Sequence, residues 1–175
     1  MDRPWLLGGE YYGGAFPVSG LKHARELATI SYRSGPEWEE RFGRRLAPKV
    51  PGSRRTSLLP DFLIETYLDH QGNQWCGTYD PNSLLYISKA MDLFDMVDGD
   101  AMSLAGNITR VQCPTLIMGV QSDILFPIQQ QREVVDILKS SGNESVSYYE
   151  LNAKFGHDTF LIDVNGVTGA LRGHL

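Results

Sequence analysis

Apolar residues recur at a helical spacing through residues 20–98, and this pattern predicts a series of helices. Five residues that share the helical period predict the first helix: Leu21, Ala24, Leu27, Ala28 and Tyr32. A short second helix is expected over residues 36–42. Residues 1–19 are rich in glycine and aromatic residues and residues 44–60 carry three prolines, so both stretches are predicted to be loops.

Two further helices are predicted before residue 98. The third runs from Asp61 toward Gly72. The fourth begins at Asp80-Pro81, because the carboxylate can accept a backbone N–H and proline suits the first helical position. Apolar residues between Leu84 and Phe94 continue this helix.

The pattern changes after residue 99 and predicts an α/β arrangement. Residues 115–120 form a short apolar run that is typical of a buried parallel strand, and residues 146–151 predict a second strand. A helix over residues 127–138 separates them, and a Gly-His-Asp loop and a final helix follow. Two parallel strands cannot bury both of their faces alone, and a stable sheet normally has more strands than these two.

Composition and charge narrow the class of protein. The chain has 175 residues, of which 42% are hydrophobic, and this content is ordinary for a soluble globular protein. No apolar run approaches the roughly 18 to 20 residues that a membrane helix needs, so no membrane association is expected. The net charge of −5 argues against nucleic acid as a partner.

Cysteine use and the N-terminus point to a reducing compartment. Cys76 and Cys113 are too few for a disulfide framework and have no close His or Cys neighbours that suggest a zinc site. The N-terminal residues lack a secretory signal and an Arg-rich transit segment. A cytoplasmic location is therefore expected, and a mitochondrial one stays open because Met1 need not be the true start.

Two residues that follow the predicted strands suggest catalysis. Asp123 follows the first strand and His157 follows the second, and ligands bind at the carboxyl ends of the strands in open α/β sheets. An acid followed by a histidine is the second part of the Ser, Asp, His order of α/β-hydrolase folds. The alternatives from spacing alone are that Asp123 caps a helix and that His157 is an exposed loop residue.

Several short motifs occur together in a characteristic order over roughly residues 10–165. They are Gly20-Leu21-x-x-Ala24-Arg25, Tyr32-Arg33-Ser34, Arg41-Phe42-Gly43-Arg44, Glu65-x-Tyr67-Leu68-Asp69-x-Gln71-Gly72, Tyr79-Asp80-Pro81-Asn82-Ser83-x-Leu85-Tyr86, Ala90-Met91-Asp92, Ser122-Asp123-x-Leu125-Phe126-Pro127 and Gly156-His157-Asp158-x-Phe160-Leu161. With these motifs the sequence resembles the homoserine O-acetyltransferase family, which includes related serine O-acyltransferases.

The resemblance implies a fold and a reaction. The fold would be the C-terminal part of an α/β-hydrolase, with residues 1–19 as an entry loop, residues 20–98 as an inserted helical lid and residues 99–175 as core. The lid would form a homodimer contact. The family moves an acyl group from acyl-CoA to a serine nucleophile and then to the hydroxyl of an amino acid. Asp123 and His157 would be the catalytic partners of that serine, acetyl-CoA would be the donor substrate, and no bound cofactor is implied.

Three more residues match the family's amino-acid site. Arg25 and Tyr32 match an arginine and a tyrosine on the carboxylate side of the substrate, and their spacing puts them two turns apart on one helix face. Asp158 matches an acid that faces the α-amine. The alternatives are that Arg25 is a solvated helix arginine, that Tyr32 is a core aromatic residue and that Asp158 is the N-cap of the last helix. The basic residues Lys49, Arg54 and Arg55 are a further candidate for the phosphates of coenzyme A, although a solvated loop is the simpler interpretation.

The nucleophile is not present in this sequence. No Gly-x-Ser-x-Gly motif occurs, and the loop that would complete an oxyanion hole is also absent. We therefore expect the chain to be a C-terminal fragment that is inactive alone.

The acceptor and the donor stay open, with L-homoserine or L-serine accepting and acetyl or succinyl as the acyl group. Two other functions are weighed against the transferase. One is an esterase or thioesterase of the same fold, and the other is a non-catalytic module that dimerises through the lid.

Overall fold

The structure is a computed structural model that describes residues 2–6, 8–48, 61–97 and 106–175. As the helical spacing of apolar residues indicates, the N-terminal part of these residues is helical and contains five helices. Within these residues they are α1 (Arg3–Leu6), α2 (Val18–Ser31), α3 (Gly35–Arg41), α4 (Leu63–Trp75) and α5 (Pro81–Asp92). The basic residues Lys49, Arg54 and Arg55 and most of the predicted loop at 44–60 lie outside the described residues. The chain divides into two compact units, which we describe separately.

The first unit comprises Met1–Ile30 and Trp38–Asp92. Its helices α2 and α4 approach closely at Gly72, where an added Cβ would lie 2.7 Å from Cγ of Lys22. An aromatic cluster forms beside them, with the ring centroids of Phe42 and Tyr67 5.0 Å apart and those of Trp38 and Phe42 5.3 Å apart. Ring contacts of this kind add to the burial of apolar area that holds the helices together.

Polar side chains cap two helices of this unit. The Asp80 carboxylate accepts the backbone N–H of Ser83 at 2.7 Å, so the predicted start of α5 is confirmed. The helix ends at Asp92 and does not reach Phe94. The Asp2 carboxylate accepts the backbone N–H of Gly20 at 2.6 Å, in the first turn of α2.

The interpretation of residues 1–19 as irregular is therefore only partly right. They contain the single turn α1, and α2 begins already at Val18. Because the capping acid Asp2 is far from the helix start in sequence, the local residue pattern cannot reveal this extension.

The second unit comprises Ser31–Glu37 and Leu93–Leu175. Its elements are β1 (Thr115–Val120), α6 (Ile128–Ser140), β2 (Val146–Leu151), a 3-10 turn (Gly156–Asp158), α7 (Thr159–Ile162) and α8 (Val164–His174). The two strands pair in parallel, and their register runs from Thr115 opposite Val146 to Val120 opposite Leu151. The predicted β-α-β order, its element types and the last helix are confirmed.

Helices cover the two faces of this sheet. An added Cβ at Gly119 of β1 would lie 3.3 Å from Ile128 of α6, and one at Gly166 of α8 would lie 2.9 Å from Leu151 of β2. Gly119 and Leu151 point to opposite faces in the observed register, so α6 and α8 lie on opposite sides. This layering is that of a doubly wound α/β sheet.

The strand β1 differs from its sequence prediction in burial. Only Gly119 is fully buried, and the other five residues are partly exposed. The reason is that the sheet formed by the described residues has two strands, so the second edge of β1 is unpaired. None of the helices in the described ranges combines the length and apolarity needed to cross a membrane.

Candidate active site

The loops at the carboxyl ends of the two strands bring Asp123 and His157 together. Nδ1 of His157 lies 2.9 Å from Oδ2 of Asp123. A carboxylate only accepts, so Nδ1 carries the hydrogen and Nε2 is left as the basic nitrogen. No described residue forms a hydrogen bond with Nε2, so this atom is available to a nucleophile.

The local turn holds the Asp123 carboxylate in place. Its Oδ1 accepts the backbone N–H groups of Leu125 at 2.8 Å and Phe126 at 2.9 Å. The side chain of Asp123 is 8% exposed and that of His157 is 25% exposed. The acid is thus shielded and doubly anchored, and the imidazole is reachable, as the catalytic interpretation requires.

Ser122 joins the two loops that carry the pair. Its hydroxyl donates to the carbonyl of Ala153 at 2.6 Å and accepts the backbone N–H of Gly156 at 3.0 Å. These bonds fix the loop after β2 against the loop after β1. The relative position of Asp123 and His157 therefore depends on a residue with no chemical role of its own.

Apolar and aromatic side chains surround the imidazole. The ring centroids of Phe126, Tyr32 and Phe160 lie 5.0, 5.8 and 5.8 Å from that of His157. A cavity of about 200 Å³ opens beside the pair. Its lining consists of Met118, Val120, Asp123, Phe126, Gln131, Leu151, His157, Phe160 and Val167. A space of this size, with one polar pair, suits a small reacting group.

Tyr32 and Asp158 lie next to His157, as the resemblance implies. The backbone N–H of Asp158 donates to the carbonyl of Tyr32 at 3.1 Å. The Asp158 carboxylate pairs with Nε of Arg33 at 2.8 Å, and Nη1 of Arg33 pairs with Glu37 at 2.6 Å. The substrate roles of Tyr32 and Asp158 stay predictions.

Two details of the sequence interpretation are wrong. Asp158 makes no capping bond, and the last helix is instead capped by Asp163, which accepts the N–H of Gly166 at 3.0 Å. Helix α2 ends at Ser31, so Tyr32 lies in the following turn and not on the helix. The residue four positions after Tyr32 is Pro36, which has no N–H to donate, and the Tyr32 carbonyl instead accepts from Asp158.

Arg25 lies on α2 within the first unit. Its Nε atom is buried and has no hydrogen-bond partner among the described residues. A buried donor without a partner is costly, so this nitrogen favours an anionic ligand. No group of three or more His, Cys, Asp or Glu side chains that could hold a metal occurs in the described ranges.

Sequence reasoning missed Arg33, Glu37, Ser122 and Gly156 as parts of the site. Arg33, Ser122 and Gly156 lie within the motifs that carry the family resemblance, and that membership is the signal that marks them. Glu37 lies outside those motifs. Counted over the whole residue, backbone included, Glu37 is 8% exposed. Such burial is rare for a glutamate, and only the fold shows it.

Gly156 provides a test of how closely the histidine loop is fitted. It has φ +64°, and an added Cβ would lie 2.7 Å from the carbonyl carbon of Arg33. We expect Gly156→Ala to destabilise the chain by about 3 kcal/mol, because backbone strain and a backbone clash add together. Urea unfolding followed by circular dichroism measures the change.

Gly142→Ala is the matched control for this substitution. Gly142 has φ +96°, but no atom of the described residues lies within 4 Å of an added Cβ, so this variant reports backbone strain without a clash. We expect it to cost about 1 kcal/mol. Equal decreases in the free energy of unfolding for Gly156→Ala and Gly142→Ala would contradict a close contact at Gly156.

Solved structures with the same architecture define the class of protein. Homoserine O-acetyltransferase from Bacillus anthracis superposes with a TM-score of 0.78 at 23% identity, over 99% of this chain and 44% of that chain. Esterase E22 superposes with a TM-score of 0.74 at 23% identity, over 99% of this chain and 46% of that one. The fold is thus that of part of an α/β-hydrolase.

Sequence relatives then define the family. Serine O-succinyltransferase of Emericella nidulans is 40% identical over 237 aligned positions, which cover all of this chain and 45% of that protein. L-serine/homoserine O-acetyltransferase of Streptomyces lavendulae is 39% identical over 93% of this chain and 44% of its own length. Homoserine O-acetyltransferase of Moorella thermoacetica is 37% identical over 99% of this chain and 45% of its own length.

The chain matches part of the homoserine and serine O-acyltransferases, the family that its motifs indicate. It spans about half the length of the curated relatives that it matches. No protein-family model matches the sequence.

Proposed function

We propose that this chain supplies the general base, its orienting acid and the amino-acid contacts of an acyltransferase. The enzyme transfers an acyl group from acyl-CoA to the side-chain hydroxyl of serine or homoserine. The observation that carries the proposal is the Asp123–His157 hydrogen bond of 2.9 Å, with Tyr32 and Asp158 beside the same imidazole. The serine nucleophile comes from polypeptide outside these 175 residues.

The first half-reaction would acylate that serine. Nε2 of His157 takes the hydroxyl proton while the serine oxygen attacks the thioester carbonyl. Asp123 holds the ring by Nδ1 and stabilises the imidazolium. The carbon–sulfur bond breaks, and the imidazolium returns the proton to the departing coenzyme A thiolate.

The second half-reaction would pass the acyl group to the amino acid. The substrate carboxylate binds Arg25 and Tyr32, and its ammonium faces Asp158. Nε2 of His157 removes the proton of the substrate hydroxyl, which attacks the acyl-serine. The serine oxygen leaves with that proton, so the enzyme returns to its starting state and the kinetics are ping-pong.

Amino-acid contacts favour transfer over hydrolysis. The fold alone does not decide, because both an acetyltransferase and an esterase share it. An ester hydrolase needs neither a cation for a carboxylate nor an acid for an ammonium. In this proposal Arg25, whose Nε has no hydrogen-bond partner among the described residues, and Asp158 would supply the two charges.

The acceptor and donor follow the names of the relatives. Those at 40% identity are called serine O-succinyltransferases, in Emericella nidulans and in Schizosaccharomyces pombe. We therefore place serine before homoserine and succinyl before acetyl. Serine and homoserine differ by one methylene, which is worth about 1–3 kcal/mol in a fitted pocket.

A chimeric enzyme tests this proposal. Serine O-succinyltransferase of Stenotrophomonas maltophilia is 40% identical to the whole of this chain, which covers 47% of it. In the chimeric enzyme this chain replaces that matching part. Mass spectrometry follows products from succinyl-CoA or acetyl-CoA with serine or homoserine.

The expected product is an O-acylated amino acid, formed fastest from succinyl-CoA and serine. The 175-residue chain without the remaining polypeptide is expected to give none. Release of free acid at a rate that the amino acids do not change would contradict transfer and would support the esterase alternative.

We also propose that the enzyme is a homodimer whose contact includes α5. This helix exposes large apolar side chains, among them Tyr86 at 80% and Met91 at 70%. Large exposed apolar side chains along one helix are typical of a protein contact. Sedimentation of the chimeric enzyme is expected to show a dimer, and Tyr86→Glu is expected to shift it toward monomer.

A further inference from the structure

Two short turns of the second unit are tied together around His157. Besides the bond from Asp158 to the Tyr32 carbonyl, the Ser34 hydroxyl donates to the carbonyl of Lys154. Gly156 rests directly on the Arg33 backbone, which leaves no room for a side chain. His157 lies between these contacts, so its position depends on the fit between residues 32–34 and residues 154–158.

Arg33 supplies the side-chain part of this connection. Its guanidinium bridges two carboxylates, with Nε 2.8 Å from Oδ2 of Asp158 and Nη1 2.6 Å from Oε1 of Glu37. The exposed fractions of the three side chains are 20% for Arg33, 17% for Asp158 and 11% for Glu37. Because water reaches them little, loss of the guanidinium would leave two partly buried carboxylates without a cation.

Arg33, Asp158 and Glu37 form what we call the Arg33 triad, and the charges of its three side chains do not cancel. Two carboxylates face one guanidinium, and Oε2 of Glu37 is buried with no hydrogen-bond partner among the described residues. The surplus negative charge favours a cation nearby. Asp158 directly follows His157 in the sequence, so it is the carboxylate of the two that lies at the His157 turn.

We propose that Arg33 is a positioning residue that holds Asp158 and the His157 turn in their working geometry. Glu37 orients Arg33 and balances its charge, so that Asp158 keeps its negative charge for the α-ammonium of the acceptor. The assignment of the cation as an α-ammonium rests on the proposed function. The mechanical role of Arg33 toward His157 does not.

Substitutions in the chimeric enzyme separate these roles. Acyl-enzyme formation without acceptor involves His157 but no amino acid, so it reports the position of the imidazole alone. We expect Arg33→Met to slow this step by about tenfold to a hundredfold, because small misplacements of a catalytic group are costly. Arg33→Lys is expected to restore part of the rate, since it returns a cation.

Glu37→Gln gives the complementary measurement. It keeps an acceptor for Arg33 but removes the charge that balances it. We expect the KM for the amino acid to rise about tenfold, with the rate of acyl-enzyme formation unchanged. An unchanged KM would contradict the role of Glu37.

Arg132→Met is the matched control. Arg132 also pairs with a carboxylate, with its Nε 2.7 Å from Oε1 of Glu150. The hydrogen bond from Arg132 contributes most to lowering the pKa of Glu150 to about 2. Arg132 lies on α6 and is 51% exposed, away from the tied turns. Both half-reactions are expected to be unchanged in this variant.

An NMR measurement on the 175-residue chain is independent of activity. The Nδ1 proton of His157, hydrogen-bonded to Asp123, should give a low-field signal. We expect this signal to broaden or vanish in Arg33→Met and to persist in Arg33→Lys and Arg132→Met.

The outcomes separate the two claims. Wild-type half-reaction rates and an intact Nδ1 signal in Arg33→Met would overturn the positioning role. A chimeric enzyme that transfers nothing would overturn the proposed function, while the NMR signal would still decide the role of Arg33. If Arg33→Met fails to fold, then a fully wild-type rate of acyl-enzyme formation in Arg33→Lys, together with a wild-type KM for the amino acid in Glu37→Gln, would overturn the roles of Arg33 and Glu37.

Discussion

His157→Ala is expected to lower the rate of acyl transfer by the chimeric enzyme by about a millionfold. This magnitude follows because His157 is the proposed general base in both half-reactions. The members of a Ser–His–Asp triad act as a unit, so the loss of one removes most of the effect. Binding of substrates should change little, because the imidazole contacts the reacting proton and not the recognition groups. Stopped assays with mass spectrometric detection cover the required range.

His70→Ala is the control for removing an imidazole. His70 is exposed on α4 in the first unit and carries no candidate role. We expect wild-type kinetics from it. If His157→Ala lost less than about tenfold, the catalytic assignment of His157 would be wrong.

Asp123→Asn is expected to lower kcat by about ten thousandfold. The amide oxygen can still accept the N–H groups of Leu125 and Phe126, so the turn is kept. The amide nitrogen then donates toward His157, which forces the ring into the tautomer that carries its hydrogen on Nε2. That nitrogen can no longer take a proton from the nucleophile.

The ring tautomer gives a second measurement of the same substitution. Nitrogen chemical shifts of His157 should show hydrogen on Nδ1 in the wild-type chain and on Nε2 in Asp123→Asn. Asp136→Asn, at an exposed position of α6, should leave the shifts as they are. An unchanged tautomer in Asp123→Asn would contradict the orienting role of Asp123.

The regular elements could be predicted from sequence because their causes are local. The apolar period predicts α2 and α4, and the bounds of β1 and β2 match the predicted strands residue for residue. The misjudged features have distant causes. The Asp2 carboxylate extends α2 from outside its own sequence, and the burial of β1 depends on the number of strands beside it.

The proximity of Asp123 and His157 could also be predicted, because parallel strands end at the same edge of a sheet. The parts that support it could not. Arg33, which Glu37 holds from four residues away, meets Asp158 only through the fold, since more than 100 residues separate Arg33 from Asp158 in sequence. The alternative role of Asp158 as the cap of the last helix rests on its place before a helical stretch, but Asp163 is the acid next to α8 itself.

The mass of the chimeric enzyme after reaction with acyl-CoA tests the central claim most directly. Without acceptor, we predict a gain of one acyl group on the serine, absent when His157 is replaced by alanine. Serine or homoserine should then discharge it and appear as the O-acylated product. Two results would contradict this account. In one, the chimeric enzyme folds but its serine is never acylated, and in the other the acyl-enzyme is only hydrolysed, whether or not the amino acid is present.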